Sequence, residues 1–147
     1  MTSLLASIRP DSWNFPLLVH VLGAMVMVGA VTAAVVAQLT PGGDSATLRR
    51  FSFRALLVVA IPAWFVTTIG SEWIHSKEFG DAEDPTWIGI GYATLDGGGL
   101  LLLIATICAG IASRKSSGGL ARASGIVGAI ALAAWIVAIW AMGAKPD

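Results

Sequence analysis

Four ionisable side chains, His20, Glu72, His75 and Asp96, stand within or at the ends of long apolar runs. A charged group inside such a run costs about 2.5–3.5 kcal/mol on membrane-insertion scales, so each of the four carries a functional expectation. Glu72 and His75 are three residues apart and would share one face of a helix. That Glu-x-x-His spacing is the one by which di-metal carboxylate bundles draw two ligands from a single helix. With His20 and Asp96 the set holds two imidazoles and two carboxylates, enough for zinc or another divalent ion if their segments converge. Other chemistries suit the same residues. Glu72 and His75 at headgroup depth would simply be solvated, and a His20–Asp96 hydrogen bond would offset part of the cost of a buried carboxylate. His20 is also suited to be an axial ligand of haem b. Asp96 precedes Gly97-Gly98-Gly99, which strips side chains from almost one helical turn and opens room for a flat ring, a lipid or another backbone. Three glycines weaken a helix by roughly 1 kcal/mol each relative to alanine, so something is expected to repay them.

The elements that must position these residues follow from composition. The chain has 147 residues, 56% hydrophobic and 12% charged, against about a quarter charged in soluble domains. A helix needs roughly 20 apolar residues to cross the hydrocarbon core, and four such stretches fill nearly the whole chain. The expected fold is therefore all-α and membrane-embedded: one domain over 1–147, with spans at about 14–39, 47–76, 86–113 and 119–144. Thr40-Pro41-Gly42-Gly43 ends the first span, and Asp44 or Ser45 caps the second. Asp84 caps the third with Pro85 at its first helical position, and Ser116-Ser117-Gly118-Gly119 separates the third from the fourth. Connections this short imply an up-down-up-down four-transmembrane-helix bundle. The segment before the first span has no basic n-region, which argues against a signal peptide.

Charge placement sets the expected orientation. Arg49, Arg50 and Arg54 lie by the first connection and Arg114, Lys115 and Arg122 by the third, so loops 40–46 and 114–119 are expected in the cytoplasm of a bacterial inner membrane. Both termini and loop 77–85 then face outside (N-out/C-out). Trp13, Trp73, Trp87 and Trp140 fall near the outer span ends, where indoles favour the headgroup region. From those ends, the helical rise of 1.5 Å puts His20 roughly 9 Å and Asp96 roughly 13 Å deep, at nearly matching heights.

Small residues must supply the close packing that lipid does not drive. Ala121, Gly125, Ala129 and Ala133 form such a stripe in the fourth span, with Gly128 beside it, and Gly23, Ala30, Ala34 and Ala37 form a looser one in the first. Pro62 is expected to kink the second span, with Thr67 and Thr68 helping to satisfy the freed backbone. The single cysteine, Cys108, lies in an apolar run and reads as packing.

The run Leu18-Val19-His20-Val21-Leu22-Gly23-Ala24, followed by Met27-Val28-Gly29, resembles the first-helix signature of small bacterial membrane proteins of the copper-resistance D superfamily. That group includes haem-binding protoporphyrinogen oxidases and uncharacterised four-helix proteins. Val19 replaces the usual leucine before the histidine, and Met27 stands where an aromatic residue is common. Arg49, Arg50 and Arg54 opening the second span, and Thr68-Ile69-Gly70 near its end, are similar in style to the uncharacterised members. The resemblance implies that His20 is a haem or metal ligand, with His75 as a second ligand about two turns shallower.

Three functions are consistent with these residues. One is an accessory or structural subunit of a membrane assembly, as a homo-oligomer or within a larger complex, with the Ala121–Ala133 stripe meeting a partner helix. The second is a haem-binding redox protein using His20. The third is a small metal-ion or proton pathway through His20, Glu72, His75 and Asp96. No bulk charge recommends nucleic acid, because the formal net charge is zero. Nucleophile elbows, phosphate-cradling loops after a strand and catalytic triads do not occur, which argues against a conventional hydrolase or transferase.

Overall fold

The computed structural model describes residues 11–42, 45–80 and 85–145. Four helices there are long and apolar enough to cross a membrane: α1 (Asn14–Leu39), α2 (Ala46–Glu78), α3 (Thr86–Lys115) and α4 (Gly118–Ala144). A short 3₁₀ turn, Asp11–Trp13, leads into α1. The connections follow local chemistry. Gly42 takes the left-handed conformation (φ 82°) that the turn after α1 requires. Ser45 is the cap of α2, its hydroxyl accepting the Leu48 N–H at 3.4 Å. Ser117 caps α4 in the same way through Leu120 N–H at 3.3 Å.

Two boundary expectations change. Pro85 occupies the cap position of α3 and Thr86 is its first helical residue; the expected cap, Asp84, lies outside the described residues, as do Gly43 and Asp44. Gly118 and Gly119 belong to the first turn of α4, because Ser116 in the left-handed region (φ 52°) reverses the chain almost at once.

The helices form a ring in which each packs on its sequence neighbours and α4 closes back onto α1. Pairings between them run in opposite senses along every adjacent pair. Ser52 of α2 bonds the Ala34 carbonyl of α1 while Thr67 meets His20; Ser124 of α4 bonds the Ala105 carbonyl of α3 while Trp135 meets Gly98. Neighbouring helices are therefore antiparallel, and the start of α1 and the end of α4 lie at the same end of the bundle. Its core repeats at helical spacing: Met27, Val31 and Ala34 from α1; Leu56, Ala60 and Ala63 from α2; Leu102, Ala105 and Ala109 from α3; Ala131 and Trp135 from α4. Alanine dominates, which lets backbones approach closely where no hydrophobic force drives association. The outer faces are apolar too, with Met25, Val58, Ile69, Leu100 and Ile136 exposed. An apolar exterior around a compact core suits lipid as the surrounding solvent.

Pro62 acts just before its own position. Six residues, Ala55–Ala60, form a π-helical turn within α2, where the Ile61 N–H reaches back five residues to the Leu56 carbonyl. The widened turn immediately precedes the proline, whose missing N–H and bulky ring disfavour regular α geometry. Thr67 and Thr68 do not serve this break. Their hydroxyls donate to the Ala63 and Trp64 carbonyls, on the far side of the proline.

Candidate functional site

His20 sits where α1 and α2 approach at backbone distance. A β-carbon on Gly70 would lie 2.7 Å from the His20 Cα, and one on Gly23 would lie 2.7 Å from the Thr67 hydroxyl, so only glycine fits at either position. This close approach brings the half-buried imidazole to the backbone of α2, where its Nδ1 lies 3.0 Å from the Thr67 carbonyl oxygen. A carbonyl only accepts, so Nδ1 carries the proton and donates. In the neutral ring this is the Nδ1–H tautomer, with the lone pair on Nε2.

Asp96 does not share that site. It lies on α3, diagonally across the ring from α1, and its side chain is exposed on the outside of the bundle. The polar partner of His20 is the backbone of α2, which corrects the expected His20–Asp96 hydrogen bond. Matching heights along two helices do not specify matching directions around them.

Glu72 is exposed near the end of α2. Its neighbour one turn on, His75, is half-buried in an aromatic cluster at the end of the bundle where α1 starts and α4 ends. The imidazole stacks on Phe79 at 5.6 Å and meets the edge of Tyr92 at 5.9 Å; Phe79 in turn meets Trp87, over which the Lys145 ammonium lies at 5.0 Å. The cluster joins α2 to α3 and to the last residue described after α4. Among the described residues, no three His, Cys, Asp or Glu side chains group as metal ligands. His20, the Glu72–His75 pair and Asp96 are thus not gathered into one ligand set among the described residues.

The glycine run opens a gap that the chain itself fills. A β-carbon on Gly98 would collide with the Trp135 indole, and one on Gly99 with the Trp64 indole, whereas Gly97 faces open space. Trp64 also donates its Nε1–H to the Leu95 carbonyl at 3.3 Å. Two indoles therefore repay the helix-weakening cost, and the flat rings expected at the gap are side chains. Neither Trp64 nor Trp135 was singled out from sequence. The available signal was two tryptophans far from any span end, facing the middle of a glycine run.

The α4 stripe is likewise used largely inside the chain. Ala121 and Gly125 are buried and Ala129 is half-buried, and β-carbons on Gly125 and Gly128 would press on Leu39 and Val35 of α1. Ala133 alone of the four is exposed. Gly125 of the stripe and its neighbour Gly128 thus meet α1. A different small face is left open. Gly89, Ala93 and Gly97 of α3 repeat every four residues, all exposed, with Asp96 beside them, and a β-carbon on Gly89 or Gly97 would touch nothing.

Buried polar groups missed from sequence include Ser52 and Ser124, which tie helices together through their carbonyl bonds at 3.3 and 2.7 Å. Arg49 is also buried, although its place among loop cations suggested solvent. No protein-family model, curated protein or solved structure matches the chain.

Proposed function

We propose that the protein is a small polytopic membrane subunit of a larger assembly, joined to its partner through the outer face of α3. The observation that carries this reading is Asp96, an acidic residue on the exterior of an apolar span. Facing lipid, such a group is costly, whereas a partner helix with a polar side chain would pair it. The exposed Gly89, Ala93 and Gly97 beside it form the small-xxx-small surface on which membrane helices approach at backbone distance. In this reading both termini face outside, and the partner is a second copy or another membrane protein.

The test is association in mild detergent and after cross-linking in native membranes, comparing wild type with Gly97→Leu and Asp96→Asn. Gly97→Leu adds bulk into open space, so the monomer should fold while the larger species is lost. A wild-type protein that is monomeric in both settings would defeat the proposal. The mass of the larger species distinguishes a homo-oligomer from a mixed complex.

A second reading, that His20 binds haem, is favoured by its hydrogen bond to Thr67. Metal-ligating histidines usually donate their other ring N–H to a carbonyl or carboxylate, which orients the ring and raises its basicity. The Nε2 of His20 is the atom that would serve in this role. The resemblance of its helix to copper-resistance D proteins points the same way. A reduced-minus-oxidised spectrum of protein purified from native membranes, beside His20→Ala, tests it. Soret and alpha bands lost in the variant would support a haem ligand, and a flat spectrum from folded protein would exclude one.

A further inference from the structure

Asp96 is exposed on α3 and forms no hydrogen bond or ion pair among the described residues. It stands nine residues past Trp87. The helical rise makes that roughly 13 Å, near the middle of the hydrocarbon core. A lysine or arginine at such a depth extends its stem toward the headgroups, but an aspartate is too short to do so. A polar partner for this carboxylate therefore has to come from outside the chain and at the same depth.

The chemistry of that partner is constrained by where this chain keeps its own cations. The described arginines and lysines stand toward the two ends of the bundle. Lys145 lies over Trp87, nine residues of α3 away from Asp96. Toward the other end, Ser124 meets Ala105, nine residues away on that side, and Arg122 lies further out again. Phe53, beside Arg54, meets Gly110. Nine residues of helix are roughly 13 Å, more than a lysine or arginine side chain spans. Copies of one chain sit at one height in the membrane, so a second copy brings no lysine or arginine to Asp96. An α3–α3 pair would bring the like carboxylate instead, and like charges repel strongly where the dielectric is low. The half-buried His20 ring is turned to the α2 backbone.

The surface beside Asp96 also suits a long side chain. Gly89, Ala93 and Gly97 are exposed there, and a β-carbon on either glycine would touch nothing. A neighbouring helix can approach to backbone distance, with the stem of a lysine or arginine lying along the shallow trough and its head on the carboxylate. Hydrogen bonds between ionised partners are roughly twice as strong as neutral ones, which favours a basic side chain over an amide or hydroxyl.

We infer that the partner of α3 is a transmembrane helix of a different protein, carrying a lysine or arginine near mid-membrane. This rests on the reading of α3 as the docking face and adds the chemistry of what docks.

The experiment places the full chain in phosphatidylcholine vesicles with designed leucine–alanine helices of roughly 20 residues. The helices carry a central lysine, leucine or aspartate. A central residue has the same depth whichever way the peptide inserts. Association is read by energy transfer between fluorophores on protein and peptide. Wild type is compared with Asp96→Asn, Asp96→Lys and Gly97→Leu, with circular dichroism verifying each fold. Wild type should bind the lysine peptide roughly tenfold more tightly than the leucine peptide, the ratio expected from one polar contact between membrane helices. Asp96→Asn should lose that preference, Asp96→Lys should transfer it to the aspartate peptide, and Gly97→Leu should weaken binding of every peptide. Equal binding of the lysine and leucine peptides by wild type, lost in Gly97→Leu, would overturn the inference while leaving α3 as the docking face. A lysine preference that persists in Asp96→Asn would overturn it too. So would self-association of wild type that depends on Asp96 and Gly97 with no peptide bound, since the partner would then be a second copy. No association of any kind would remove the docking face as well.

Discussion

Gly97, Gly98 and Gly99 are chemically identical and adjacent, yet their surroundings give them different roles. Gly98 and Gly99 face inward and make room for Trp135 and Trp64, while Gly97 faces out. A methyl group at Gly98 must displace an indole that is itself fully enclosed, and overpacking of this kind costs about 1–3 kcal/mol. At Gly97 the same methyl meets nothing and restores helix propensity, a gain of about 1 kcal/mol. Thermal unfolding in maltoside micelles should therefore show Gly98→Ala destabilised and Gly97→Ala equal to or more stable than wild type. Replacing Trp135 by Phe in the Gly98→Ala background should recover part of the loss, since the indole Nε1 stands nearest the added carbon and has no partner to lose. Identical responses at Gly97 and Gly98 would contradict the placement of the indoles.

Within α2, the π turn separates two lengths of helix whose directions around the axis are fixed independently. Ser52 holds the first to the Ala34 carbonyl, and the contact of Thr67 with His20 holds the second to α1. A π turn behaves as one residue inserted into an α-helix, and each residue rotates the chain by about 100°. Deleting Val58, which lies in the turn and is exposed, should close the helix to regular α geometry and leave both anchors in register. Deleting Phe65, also exposed but beyond the turn, should rotate Thr67 away from His20 and break the α1–α2 interface. The monodisperse yield in detergent should survive the first deletion and collapse in the second. The length of α2 was legible in the sequence, because hydropathy reports where apolar residues begin and end. Its inner register was not. Pro62 announces a disturbance without saying whether the helix answers by bending or by widening, and the choice depends on the anchors either side.

For the molecule as a whole, the same distinction explains why four spans could be drawn from sequence while the site could not. Counting residues gives height along a helix, and that count puts His20 and Asp96 at similar heights. Which way each residue points depends on how four helices rotate against one another, and glycine contacts such as Gly23–Thr67 and Gly98–Trp135 set that rotation. Which side of the membrane the termini face is a further property that packing leaves undetermined, since the bundle would pack identically either way up. The term expected to decide it is charge: Arg50, Arg54, Arg114, Lys115 and Arg122 are all exposed at the end opposite the start of α1 and the end of α4, and translocation disfavours moving such basic clusters across the membrane. Single cysteines at Thr47 and Ala144, both exposed and at opposite ends, read out the result once Cys108 is replaced by alanine. In intact spheroplasts an impermeant maleimide should label Ala144→Cys at once and Thr47→Cys only after permeabilisation. The reverse pattern would put the basic end outside, in which case charge did not govern insertion and a partner inserted alongside this chain would have to supply the orienting signal.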